Sequence, residues 1–185
     1  MIKIGIDVGS TTAKLVAVDE NDNLLFSKYE RHNAKAKETI LSFLKELLSE
    51  IGDKDISVRI TGSIGMGISE KCSLPFVQEV VAAAKAIQKD YSHVTSMIDI
   101  GGEDAKVVFF KDAEATDLRM NGNCAGGTGA FIDQMAIILG VNIDELNQLA
   151  MNATQVYPIA SRCGVFCKTD IQNLIAKNVS RENIA

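Results

Sequence analysis

Short apolar runs broken by turn residues predict strands at Ile2–Val8, Ala13–Asp19 and Leu24–Tyr29. The pattern then changes period. Ile40, Phe43, Leu44, Leu47, Leu48 and Ile51 recur at helical spacing and predict an amphipathic helix over Ala34–Glu50, stopped by Gly52-Asp53. A short strand at Val58–Thr61 and a helix at Val77–Asp90 close this first unit. Strands follow at Ser96–Ile100, Ala105–Phe110 and Ala115–Met120, then helices at Thr128–Gly140, Asp144–Asn152 and Val165–Asn178. Three strands in a row followed by alternating helix and strand imply an α/β fold with mixed sheets, occurring twice.

The second occurrence is visible as a repeat. Ile6-Asp7-Val8-Gly9-Ser10-Thr11-Thr12-Ala13-Lys14-Leu15-Val16 aligns without a gap on Ile98-Asp99-Ile100-Gly101-Gly102-Glu103-Asp104-Ala105-Lys106-Val107-Val108, 92 residues later, with six identities in eleven. Each copy reads as an apolar strand ending in Asp, a Gly turn and a second apolar strand. The repeat places a domain boundary near residue 94, giving units 1–94 and 95–185.

Both turns carry chemistry suited to phosphate. Gly9 lets backbone N–H groups approach an anion, Ser10, Thr11 and Thr12 add neutral hydroxyls, and Lys14 adds a positive charge. Asp7 is placed to hold Mg²⁺ through water, since Mg²⁺ keeps much of its hydration. Asp99, Gly101, Gly102, Glu103 and Asp104 offer the same from the second copy, and two such loops facing each other would grip a triphosphate with its metal. Each loop alone reads equally well as a hairpin with a Gly turn; the fixed offset favours the phosphate reading. The sequence has neither the Gly-rich Lys-Ser/Thr loop of P-loop enzymes nor a dinucleotide-binding Gly fingerprint. Thr61-Gly62-Ser63-Ile64-Gly65-Met66-Gly67 is a further ligand loop or a surface turn.

Composition limits the partners. The 185 residues carry 19 Lys+Arg against 24 Asp+Glu, a net charge of −5, with no long basic run, which argues against nucleic acid. No apolar stretch reaches the ~20 residues of a membrane span, and no signal peptide opens the chain, so a cytoplasmic location is expected. In that reducing compartment the four cysteines are metal ligands or buried thiols rather than disulfides.

Two of them stand in similar settings. Asn121-Gly122-Asn123-Cys124-Ala125-Gly126-Gly127-Thr128-Gly129 and Ser161-Arg162-Cys163-Gly164-Val165-Phe166-Cys167 each put a thiol just ahead of a predicted helix. Helix N-termini lower thiol pKa values and favour anions, which suits a metal–sulfur centre. Two ligands per chain become four when two copies share one centre on a two-fold axis. The bland reading is a pair of buried thiols packed as small hydrophobes. Cys72 has no partner motif and reads as structural, and His32 and His93 read as surface residues.

The paired Asp-x-Gly hairpins resemble the phosphate motifs of the superfamily containing acetate and sugar kinases, heat-shock chaperone ATPases and actin. That resemblance implies two RNase H-like domains that bind ATP. With Cys124-Ala125-Gly126-Gly127-Thr128-Gly129 and Arg162-Cys163-Gly164-Val165-Phe166 added, the chain from Ile4 to about Asn178 resembles the activator ATPases of 2-hydroxyacyl-CoA dehydratases and benzoyl-CoA reductases. The resemblance implies a homodimer holding one 4Fe–4S cluster on Cys124 and Cys163 of each subunit, with Cys167 a rival for Cys163. It implies an ATP-driven one-electron donor that takes electrons from a ferredoxin or flavodoxin-like carrier and passes them to an acyl-CoA dehydratase- or reductase-type acceptor. Mg-ATP or ADP would be bound by the loop residues above, with Gly127 and Thr128. Glu79 would join Asp7 and Asp99 in catalysis, or serve as an ordinary first-turn helix residue. The rival functions are a small-molecule kinase of the same fold and a zinc-stapled ATP-binding module. Only 87 residues remain from Asp99 onward, and in this family an adenosine-binding stretch lies further along, so the second domain is expected to be incomplete.

Overall fold

The computed structural model describes residues 1–112, 114–122 and 124–185. Ala113 and Asn123, the latter part of the first cysteine motif, lie outside the described residues. The chain divides into two compact units, Met1–Val94 with Asp112 and Glu114, and Thr95–Lys111 with Ala115–Ala185.

The first unit is a mixed four-stranded sheet in the order β3-β2-β1-β4. It comprises β1 (Ile2–Val8), β2 (Thr12–Val18), β3 (Leu24–Arg31) and β4 (Ile56–Thr61). The β1–β2 and β2–β3 pairs are antiparallel, whereas β1–β4 is parallel. Because strand side chains alternate between faces, one face gathers Ile2, Ile4, Ile6, Val8, Ala13, Leu15, Ala17, Phe26 and Ile60, all buried. Helix α1 (Ala36–Ile51) covers that face with Ile40, Phe43 and Leu47, three and four residues apart. Burial of side chains of this size contributes about 1.5–3 kcal/mol each, so this layer is the unit's main source of stability. Gly52, at φ 68°, ends α1.

Alternation leaves Gly5, Asp7, Lys14, Val16, Arg59 and Thr61 on the opposite face, paired across the sheet in register. They line a cavity of about 300 Å³ together with Val77 and Ala82, the latter from α3 (Glu79–Asp90). The α/β class and the mixed sheet agree with the sequence reading. Helix α2 (Gly65–Cys72) was not expected, because Gly65 and Gly67 are poor helix formers. Tertiary contact overrides propensity: Ile64 N–H donates to the Val8 carbonyl (2.9 Å) and Gly65 packs against Ile60.

In the second unit, β5 (Ser96–Ile100), β6 (Ala105–Lys111) and β7 (Glu114–Asn121) form a sheet in that order, with β5–β6 antiparallel. A 3-10 turn at Ala125–Gly127 leads into α4 (Gly129–Leu139), followed by α5 (Ile143–Met151), α6 (Gly164–Ala176) and α7 (Arg181–Ile184). Asn142 and Glu145 form a reciprocal capping box on α5. Met135 and Leu139 of α4, Cys167 and Ile171 of α6 and Ile184 of α7 make the helical core. The unexpected α7 is four residues long; Ile184 anchors it, and Arg181 donates to the Leu139 carbonyl at 3.2 Å.

Candidate functional site

Each unit carries one hairpin with the same closing bond. Gly9 N–H donates to the Thr12 carbonyl at 3.0 Å, and Gly101 N–H donates to the Asp104 carbonyl at 2.9 Å. The carboxylates of Asp7 and Asp99 stand at matching register positions, opposite Lys14 and Lys106.

In the first unit Lys14 Nζ lies 2.7 Å from Asp7 Oδ2 and 5.5 Å from the centre of the Tyr29 ring. The lysine expected to face phosphate is thus already engaged with the carboxylate. Asp7 Oδ1 is buried without a hydrogen-bond partner among the described residues. An unpaired buried carboxylate oxygen fits a hydrated Mg²⁺, which takes hard oxygen donors and retains waters. Ser10 and Thr11 bring their hydroxyls within 3.5 Å of each other, and both are half-buried, as are Gly9 and Thr12.

His32 corrects a sequence expectation. It is 4% exposed rather than on the surface. Its Nε2 lies 3.0 Å from the Gly9 carbonyl and its backbone N–H donates to the Thr11 carbonyl at 3.2 Å. Asn33 and Ala34, both at positive φ (47° and 63°), turn the chain immediately after it. Sequence spacing gave no signal for this, since His32 meets Gly9 only through β2–β3 pairing.

In the second unit Lys106 is almost fully buried, 2.9 Å from Asp104 Oδ2 and 3.9 Å from Asp99 Oδ2. A Cβ on Gly101 would sit 2.5 Å from Asp104 Oδ1, so glycine is required for the carboxylate to fold back over the turn. Gly102 is half-buried and Glu103 exposed. The carbonyls of Gly101 and Gly102 accept from the N–H groups of Gly129 and Ala130, at 2.8 and 3.2 Å. Two otherwise orphaned donors at the start of α4 are thereby satisfied, and this hairpin is tied to the cysteine segment directly before that helix.

Cys124 caps the 3-10 turn, its sulfur 3.4 Å from the Gly126 N–H. Gly127 lies within that turn. Thr128 is fully buried and its hydroxyl donates to the Ala125 carbonyl at 2.8 Å. Cys163 occupies the N-cap position of α6. The two cysteine segments touch through glycines: a Cβ on Gly164 would fall 2.8 Å from Gly126 Cα and 3.0 Å from the Phe131 ring. Cys124 is exposed and Cys163 half-buried. Thiols at the starts of two touching segments, that of Cys124 beside the Gly126 N–H, fit an anionic iron–sulfur centre.

Cys167 is different. It is buried in the helical core, and desolvation pushes its thiol pKa above the ordinary value. Its geometry suits packing, not ligation. Cys72 is exposed at the end of α2. Glu79 is half-buried in the first turn of α3.

The chain is 30% identical over 186 residues to the activator of lactoyl-CoA dehydratase from Anaerotignum propionicum, covering 100% of this chain and 71% of the relative. It is 27% identical over 183 residues to the (R)-2-hydroxyglutaryl-CoA dehydratase activating ATPase of Acidaminococcus fermentans, covering 98% and 70%. The solved structure of the activator of 2-hydroxyisocaproyl-CoA dehydratase from Clostridium difficile, with bound ADPNP, superposes with a TM-score of 0.87 at 29% identity, covering 100% of this chain and 69% of that one. The BadF/BadG/BcrA/BcrD ATPase family model matches residues 4–185. With its two Asp-Gly hairpins and its pair of helix-capping cysteines, the chain belongs to the BadF/BadG/BcrA/BcrD ATPase family.

Proposed function

We propose that the protein is an ATP-dependent activator that delivers single electrons to an enzyme of the 2-hydroxyacyl-CoA dehydratase or benzoyl-CoA reductase type. The observation that carries this reading is the pair of hydrogen bonds from Gly129 and Ala130 to the carbonyls of Gly101 and Gly102. They fasten the second phosphate hairpin to the start of α4, immediately after the turn that Cys124 caps.

Backbone N–H groups and hydroxyls of Gly9, Ser10, Thr11 and Thr12, with the matching turn at Gly101, Gly102, Glu103 and Asp104, bind the phosphates of ATP. Asp7 and Asp99 hold Mg²⁺ through its waters. Cys124 and Cys163 provide thiolates to a 4Fe–4S cluster, which stores and releases one electron when bound. With two such thiolates per copy, a four-thiolate site draws its other two ligands from a second copy, and the active form is a homodimer. The hydrogen bonds to Gly101 and Gly102 make any shift of the hairpin a shift of the turn bearing Cys124. Nucleotide then changes the thiols' surroundings only to the extent that it binds one arrangement better than the other.

The donor is a ferredoxin or flavodoxin-like carrier, and the expected compartment is the cytoplasm. The test is anaerobic: reduced protein is mixed with an acyl-CoA dehydratase-type acceptor, and oxidation is followed with and without MgATP. Electron transfer that depends on MgATP is expected; transfer at the same rate without nucleotide contradicts the reading.

A further inference from the structure

Two buried oxygens on neighbouring strands of the first unit have no hydrogen-bond partner among the described residues, Asp7 Oδ1 on β1 and Thr61 Oγ1 on β4. The two residues are Cα partners in the parallel β1–β4 register, so their side chains leave the sheet side by side on one face. They are not bonded to each other. Asp7 spends its second oxygen on Lys14, and Asp7 and Thr61 both line the cavity on that face. Leaving such atoms unpaired costs stability, and each exception in a folded protein calls for an explanation.

The backbone preserves room beside them. Gly62, directly after the end of β4, sits at φ 90°, and a Cβ there would fall 2.5 Å from Asp7 Oδ1 and against the Val8 carbonyl. No L side chain fits that position without displacing the carboxylate. The ends of β1 and β4 therefore present a carboxylate oxygen and a hydroxyl oxygen together, both hard donors of the kind that surround a hydrated magnesium ion.

We infer that Thr61 is a magnesium-positioning residue. Its hydroxyl and Asp7 Oδ1 accept the two protons of one water in the coordination shell of the nucleotide's Mg²⁺. This inference rests on the nucleotide-binding reading above and extends it to a strand that contributes neither phosphate hairpin. Outer-shell groups of this kind orient the metal's ligands, and their loss typically lowers metal affinity or activity by about 10–100-fold.

The experiment titrates a fluorescent ATP analogue against wild type, Thr61→Val and Thr61→Ser, each with Mg²⁺ and with EDTA, and follows Mn²⁺ binding to the ADP complex by EPR. Thermal unfolding is recorded for all three. Val replaces the hydroxyl with a methyl of similar shape, so the fold should be retained and the melting temperature unchanged or raised. The inference predicts that Thr61→Val loses about tenfold or more of the gain in affinity that Mg²⁺ confers. Its metal-free affinity should be unchanged, Mn²⁺ binding weakened, and Thr61→Ser should restore both. A Thr61→Val protein with the full wild-type Mg²⁺ gain overturns the inference while leaving the nucleotide reading intact. Equal losses with and without metal also overturn it, making Thr61 a direct phosphate donor. A wild type whose affinity does not respond to Mg²⁺ overturns both the inference and the assignment of Asp7 to the metal.

Discussion

Lys14 pairs with Asp7 across the first hairpin, Nζ 2.7 Å from Oδ2, and the register positions 92 residues later hold the same two residue types, Lys106 opposite Asp99. The two lysines differ in setting. Lys14 is about one-third exposed and bonded to a single carboxylate, whereas Lys106 is 8% exposed and flanked by Asp99 and Asp104. Removing a partner from a buried ion pair is strongly destabilising, while surface pairs contribute little. Lys106→Met, which takes a buried lysine away from two carboxylates, should therefore cost more stability than Lys14→Met, which takes a part-exposed lysine from one. Urea unfolding of the two variants checks the difference; equal losses would contradict it.

Gly62→Ala should be costly. At φ 90° an added methyl meets the Asp7 carboxylate and the Val8 carbonyl, and neither can retreat without disturbing β1. Strain of this kind costs about 1–3 kcal/mol before the clash is counted. A lower melting temperature together with weakened nucleotide binding is expected; a variant that matches wild type in both removes the close approach from the account.

The two cysteines of α6 should separate by readout. Cys163→Ala removes a half-buried N-cap thiol, so iron content after anaerobic reconstitution should fall while stability holds. Cys167→Ala opens a small core cavity, costing about 1 kcal/mol, and should keep its iron. Reversal of these two outcomes would exchange their roles.

Burial of Cys167 also sets a pH dependence. Its folded thiol pKa is raised by desolvation, so the native state favours the neutral thiol. That contribution is fully present below the unfolded pKa and is lost as pH rises through the folded value. Stability should decline on the alkaline side, and Cys167→Ala should flatten the decline. In iodoacetamide labelling at pH 8, exposed Cys72 and Cys124 should react first and Cys167 only on unfolding. Rapid native labelling of Cys167 would contradict its placement.

His32 holds the hairpin proposed to bind phosphate through the carbonyls of Gly9 and Thr11. His32→Leu keeps bulk but removes the side-chain bond, and should weaken ATP binding several-fold, with His32→Gln, whose amide nitrogen can replace Nε2, recovering most of it. Equal affinities for the two variants would show that the bond does not shape the turn.

Much of this structure could be read in advance where the signal is local. Alternating apolar residues and Gly turns marked β1, β2, β5 and β6 because a half-buried strand repeats every two residues, and α1 announced itself through Ile40, Phe43 and Leu47. Helix α2 could not be read, since Gly65 and Gly67 argue against a helix, and contacts such as the bond from Ile64 to Val8 and the packing of Gly65 on Ile60 and of Ile68 on the core hold it. The placements of the site residues divide the same way. Asp7, Gly9, Asp99, Gly101, Cys124 and Cys163 stood out by type and spacing. The engagement of Lys14 by Asp7, the burial of His32 beneath Gly9 and the unpaired hydroxyl of Thr61 arise from strand register and third-dimensional packing, which no short motif encodes.

The central claim is that Cys124 and Cys163 from two copies bind one iron–sulfur cluster in an ATP-driven activator. Anaerobic reconstitution, with iron and sulfide assays and the oligomeric mass measured on the same sample, tests it most directly. About four iron and four sulfide per two chains is predicted, with a dimeric mass, and loss of the cluster in Cys124→Ala and Cys163→Ala. Full iron content in both variants, or a cluster held by a monomer, would contradict the account.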